Sequence, residues 1–107
     1  MAQITRKTAI GIASSALHEM KVRGYKPSRA ILFGSFAKGL QHEYSDIDLA
    51  VWEPSFIGSI SLDMVKLAPI KIKYPRIEFH TFQSNETVET NPFIEEILNG
   101  GITLEIP

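Results

Sequence analysis

With 107 residues, 44% of them hydrophobic and 21% charged, the chain has the balance of one globular domain and too little length for a second. Eleven Lys and Arg against twelve Asp and Glu give a formal net charge of -1, which argues against a protein whose main task is to coat nucleic acid or an anionic membrane. The lack of cysteine excludes a disulfide scaffold, a thiolate zinc site and cysteine catalysis, and fits a reducing cytoplasm.

The segment Met1 to Lys7 has no continuous apolar run of the kind a leader peptide needs, and no later run approaches the length of a membrane span. After Thr5, the apolar residues Ile10, Ala13, Leu17 and Met20 recur at helical spacing, which predicts an amphipathic helix ending near Gly24. Tyr25 to Ser28 breaks it. Ala30 to Phe33 reads as a strand closed by Gly34-Ser35, which opens a helical turn, and Ile47 to Trp52 as a second strand. Pro54 to Ser61 is expected to be loop, Leu62 to Leu67 a short helix stopped by Pro69, and Arg76 to Phe82 a third strand. Gln83 to Asn91 is polar and loop-like. Pro92 can open a helix whose buried side is Phe93, Ile94, Ile97 and Leu98; Gly100-Gly101 stop it, and Ile102 to Ile106 alternate as a last, edge strand.

The chemistry lies between Phe33 and Asp48. A strand that ends in Gly-Ser and turns into a helix leaves backbone N–H groups facing outward, where they favour an anion such as phosphate. Gly34 lets a phosphate come close and Ser35 adds a hydroxyl donor. Asp46 and Asp48 are two apart in the predicted second strand, so both carboxylates are expected on one face while Ile47 and Leu49 enter the core. Side by side they repel unless a cation lies between them, and Mg²⁺ with substrate phosphates suits hard oxygen ligands. Glu78 on the third strand would complete a three-carboxylate cluster if that strand neighbours the second.

The run Leu32-Phe33-Gly34-Ser35-Phe36-Ala37-Lys38-Gly39, followed by Ser45-Asp46-Ile47-Asp48-Leu49-Ala50-Val51, resembles the signature of the minimal nucleotidyltransferases of the DNA polymerase beta superfamily. Pro75 to His80 and Asn91 to Leu98 are similar to later segments of small prokaryotic members. The resemblance implies an α/β fold of the α+β kind, a mixed sheet of about four strands flanked by helices, spanning residues 1–107 as one domain. It implies transfer of a nucleoside monophosphate from a triphosphate to an acceptor hydroxyl, with pyrophosphate leaving. In that reading Gly34, Ser35 and Lys38 hold the triphosphate, while Asp46, Asp48 and Glu78 are catalytic and ligate two Mg²⁺ ions, one activating the hydroxyl and one offsetting charge on the leaving group. Many active relatives carry Asp where Glu78 stands, one methylene shorter. The chain has no room for the helical domain with which larger nucleotidyltransferases grip base and acceptor. Such minimal proteins resemble the antitoxin half of toxin-antitoxin modules, whose companion is a helical HEPN protein and whose chemistry places AMP on a tyrosine of that companion.

Each residue also has a plainer reading. Gly34-Ser35 could be a simple strand-ending turn, and Asp46 and Asp48 the solvated face of a half-buried strand. Glu78 could be an exposed strand residue, His80 a packed histidine rather than a ligand, and Lys38 a surface lysine rather than a phosphate contact. Trp52 reads as core before base-stacking platform, and the Phe93, Ile94, Ile97 and Leu98 stripe as core before partner surface. The alternative function is a binding module that silences its partner by occlusion, with the nucleotide site idle. Direct nucleic-acid binding lacks a basic patch.

Overall fold

Thr5 starts the first helix: its backbone is extended, and its side-chain oxygen accepts the Thr8 N–H at 3.1 Å, satisfying one of the donors that the first turn leaves unpaired. The computed structural model describes residues 4–107; Met1–Gln3, the beginning of the segment read for a leader, lies outside the described residues. The elements are α1 (Arg6–Val22), β1 (Arg29–Phe33), α2 (Ser35–Lys38), β2 (Ile47–Trp52), α3 (Ile60–Lys73), β3 (Ile77–Phe82), α4 (Phe93–Leu98) and β4 (Ile102–Thr103). No helix among the described residues is long and apolar enough to cross a membrane.

The four strands form one mixed sheet in the order β3-β2-β1-β4. β1 runs antiparallel to both β2 and β4, while β2 and β3 are parallel, with α3 as the crossover that a parallel pair requires. Because side chains alternate along a strand, the sheet has two chemically different faces. On one, Ala30, Leu32, Ile47, Leu49, Val51, Ile77 and Phe79 are buried with α1, α3 and Phe36 of α2. α1 meets this face with Ala9, Ala13 and Ala16 beside Leu17 and Met20, while Ile10 is half-buried at the margin. Small residues let the helix axis approach the sheet closely. On the other face Ile31, Ala50, Trp52 and Phe82 pack against Ile94 and Ile97 of α4. This second face also carries Asp48, Glu78 and His80.

Two elements, α3 and β4, differ most from the sequence expectation. α3 does not stop before Pro69; it begins at Ile60 and runs through to Lys73. Proline removes one bond to the carbonyl of Val65, but Val65 is 76% exposed, so water reaches that turn, and the buried Leu67 and Ile70 hold the helix on either side. β4 ends at Thr103 rather than continuing to Ile106. Its register pairs Ile102 with Leu32 and Thr103 with Ile31, and Leu104 N–H still donates to Ala30 O at 2.9 Å; beyond that β1 runs out of partners.

Buried carboxylates fix the connection into α3. Asp63, fully buried, accepts the N–H groups of Ile57 (2.8 Å) and Gly58 (3.0 Å) and the hydroxyl of Thr81 (2.7 Å). Glu53 is likewise buried and accepts from Lys26 N–H, Ser55 N–H and the Ser55 hydroxyl. The Asp63 bonds tie the β2–α3 loop to β3, and the Glu53 bonds tie the start of that loop to Lys26.

Candidate active site

The site begins at the end of β1. Gly34 has φ 76 and ψ -150, a conformation that side-chain-bearing residues rarely adopt, and its backbone lies directly over the carboxylate of Asp48. A Cβ built there would stand 2.2 Å from Asp48 Oδ2. The turn that follows, Ser35–Lys38, is too short to hold itself, and Arg6 of α1 holds it instead. Its guanidinium donates through Nε to Phe36 O and through Nη2 to Ala37 O, both at 2.9 Å, across some 30 residues of chain. Ser35, half-buried, thus sits on a turn fixed from both ends.

In β2, Asp48 pairs across the sheet with Phe33 on one side and with Glu78 on the other. The parallel register puts Asp48 and Glu78 level, which answers the adjacency that spacing alone left open. His80, two residues on and on the same face, joins them. Donor atoms of Asp48, Glu78 and His80 all lie within 4.8 Å of one another, with His80 Nε2 and Asp48 Oδ1 3.3 Å apart. The His80 ring is held edge-on by Phe33 (centroids 4.8 Å) and flanked by Phe93 of α4 (5.9 Å). Asp48 and His80 are each about a quarter exposed and Glu78 is exposed, so the cluster is backed by aromatic rings and open in front.

Asp46 and Lys38 stand around this cluster rather than in it. β2 begins at Ile47, so Asp46 belongs to the preceding loop, is exposed, and is not one of the three converging residues. The loop is shaped by the buried Ser45, whose hydroxyl accepts His42 N–H at 2.8 Å and whose carbonyl accepts from Arg76 Nη2 at 2.7 Å. Asp46 lines a depression of about 460 Å³ with Glu43, Tyr44 and Arg76. Lys38, exposed at the end of α2, shares a shallow cleft of about 180 Å³ with Phe33, Gly34, Phe93 and Glu96.

A family model describing a nucleotidyltransferase domain matches residues 14–102. The chain belongs to that family. No curated protein matches it. The matched span carries the Gly34-Ser35 turn, both aspartates and Glu78, and the four-stranded mixed sheet is compatible with the nucleotidyltransferase fold.

Whether this nucleotidyltransferase could hold a divalent cation is a question about its donors. Two carboxylates and one imidazole converge, all three reachable from solvent, a set that suits a divalent ion and leaves coordination positions for substrate oxygens. The absence of a Cβ at Gly34 is what lets the Asp48 carboxylate occupy its place. The residues therefore fit the group.

One contributor escaped the sequence reading, and one was read there first as a packed histidine. Arg6 gave no local signal, because its partners are carbonyls far along the chain. His80 shares a strand face with Glu78, and that period-two relation was the signal available. Trp52 is core: it is 2% exposed, stacks on Phe82 at 4.8 Å, and its Nε1–H donates to Glu86 O at 3.0 Å. The α4 stripe divides, Ile94 and Ile97 being buried while Phe93 and Leu98 are each 40% exposed.

Proposed function

We propose that this nucleotidyltransferase moves AMP from ATP to a tyrosine hydroxyl of a helical HEPN-type protein partner, with pyrophosphate leaving. The observation that carries the reading is the seating of Asp48 under the Gly34 backbone with Glu78 level beside it, because this sets a Gly-Ser turn and a carboxylate pair against the same small volume.

In this reading Gly34 and Ser35 present backbone N–H groups and a hydroxyl to the triphosphate, and Lys38 meets it from the cleft beside Gly34. Asp48, Asp46 and Glu78 would hold two Mg²⁺ ions; when bound, these supply charge neutralisation at the leaving pyrophosphate and acidify the acceptor hydroxyl. Asp46 would have to reach the ions from its loop, the placement of which rests on the Arg76 to Ser45 bond. Glu78, the exposed member, faces the side from which an acceptor arrives and holds the hydroxyl in line with the α-phosphate. The protein's work is then orientation and preset charge rather than covalent chemistry.

The open front, with Glu78 exposed and Asp48 and His80 each about a quarter exposed, supports a macromolecular acceptor. An apolar surface for the partner lies on the outside of α3. On α3, Leu62, Val65, Pro69 and Ile72 recur at helical spacing on the outside, with Leu62 56%, Val65 76% and Ile72 80% exposed. Lys66, exposed on the same helix, calls for an acidic residue on the partner. Ile60, Met64 and Lys71, on another side of α3, line a cleft of about 240 Å³ with Glu78 and His80.

The test incubates the purified protein with labelled ATP, Mg²⁺ and the helical product of the neighbouring gene, followed by intact mass. A mass gain of one AMP on the partner, lost in Asp48→Asn, is the expected result. Complex formation that silences the partner with no mass change, and that survives Asp48→Asn, would establish occlusion instead.

A further inference from the structure

We propose that His80 is a nitrogen ligand of the cation site, and that the site therefore prefers a metal that accepts imidazole, Mn²⁺ above Mg²⁺. The inference rests on the reading of Asp48 and Glu78 as cation ligands given above and adds to it both a ligand and a selectivity.

The distances carry it. A charge-assisted hydrogen bond from an imidazole to a carboxylate is usually about 2.7–2.9 Å long. His80 Nε2 and Asp48 Oδ1 are 3.3 Å apart, loose for such a bond. Two ligands at right angles around one octahedral cation, each roughly 2.1 Å from it, stand about 3 Å from each other. The observed spacing is closer to that of neighbouring ligands than to that of a tight ion pair. Glu78 brings a third donor within the same 4.8 Å, so one ion could be shared by all three after small side-chain rotations.

The ring is also held for the purpose. Phe33 edge-on at 4.8 Å and Phe93 at 5.9 Å restrict its rotation, while Nε2 is left directed at the carboxylates. Mg²⁺ takes oxygen ligands and keeps its waters, whereas imidazole is a good ligand for the transition metals; an N,O,O set hence shifts the balance from Mg²⁺ toward Mn²⁺.

The experiment uses the whole chain loaded with Mn²⁺ and a non-hydrolysable ATP analogue. Electron spin-echo modulation should show a coupled ¹⁴N that becomes ¹⁵N when histidine alone is labelled, a readout that needs neither turnover nor a variant. In calorimetry, His80→Gln should weaken Mn²⁺ binding by about tenfold or more and Mg²⁺ binding by less than about threefold. Mn²⁺ bound with no histidine nitrogen coupling, or equal weakening of both cations in His80→Gln, would overturn the inference while leaving the carboxylate site standing. Failure of either cation to bind with nucleotide would overturn both readings together.

Discussion

Gly34 and Asp48 touch through the space a side chain would fill: a Cβ on Gly34 would lie 2.2 Å from Oδ2 of Asp48 and 3.1 Å from its carboxyl carbon. The glycine therefore serves the carboxylate as much as any phosphate. Gly34→Ala should push Asp48 off its position and strain a backbone at φ 76, costing about 1–3 kcal/mol of stability. It should also weaken cation–nucleotide binding by tenfold or more. Thermal unfolding and calorimetry on the same variant check both, and unaltered binding would mean that Asp48 is not a ligand.

Arg6 offers a test of positioning at a distance. Removing its two bonds to Phe36 O and Ala37 O in Arg6→Ala should cost about 1–2 kcal/mol and loosen the Ser35–Lys38 turn. Nucleotide affinity should fall although Arg6 is not proposed to touch nucleotide. Arg6→Lys should restore little, because an ammonium cannot serve two carbonyls with the guanidinium's fixed fork.

Asp48, Asp46 and Glu78 should separate in kinetics. Mg²⁺ and ATP are expected to bind together far better than either alone, and Asp46→Asn with Asp48→Asn should abolish that synergy. Glu78→Gln should depress turnover strongly with triphosphate affinity within a few-fold, as for a contact used fully only in the transition state. Unchanged turnover in Glu78→Gln would leave that residue a solvated strand position.

The α1–α3 contact has a pH signature. Glu19 accepts from Lys73 Nζ and Arg23 Nε, both at 2.8 Å, and these bonds hold its carboxyl below the usual value of 4.5 while raising the Lys73 ammonium above 10.5. The stabilisation by Glu19 is thus present above about pH 4.5 and is lost as pH falls through its lowered folded value; that by Lys73 is present below 10.5 and lost as pH rises through its raised one. Denaturation midpoints of Glu19→Gln should lie below the parent's between those limits, converge with the parent's at the acid end, and keep part of the gap at the alkaline end, where Arg23 stays charged. The gap should be small, because the pair is exposed to solvent.

Val65→Glu with Ile72→Glu tests the docking face. Both side chains are more than three-quarters exposed, so stability should change by less than about 0.5 kcal/mol while partner binding is lost. Intact partner binding would move the interface elsewhere.

Much of this molecule could be read from its chain, and the parts that could not share a cause. Ile47 to Trp52 and Ile77 to Phe82 announce themselves by alternation, and their shared site by Asp48 and Glu78 at matching places in the pattern. Pro69 misled because the rule for proline in a helix is local, while the packing of Leu67 and Ile70 that overrides it is tertiary. Asp46 was expected in the strand with Asp48, but the strand starts one residue later because Ser45 is turned inward by His42 and Arg76. Arg6 and Asp63 work through partners 31 and 18 residues away, for which no spacing rule exists.

The parallel pairing of Asp48 with Glu78 has a consequence for the order of events in folding. β1 and β2 can meet as an antiparallel pair soon after α2 turns, which already seats Asp48 beneath Gly34. β3 arrives only after α3 has carried the chain back across the sheet, and long-range parallel contacts of that sort form late. A chain halted between the two steps has a carboxylate and a turn but no Glu78 or His80. Any ligand that needs all of them binds the fully docked sheet alone and stabilises it against the half-docked one in proportion to its concentration. Nucleotide and cation would then act on the protein's lifetime as well as on its chemistry, with the abundance of the folded chain rising and falling with their supply.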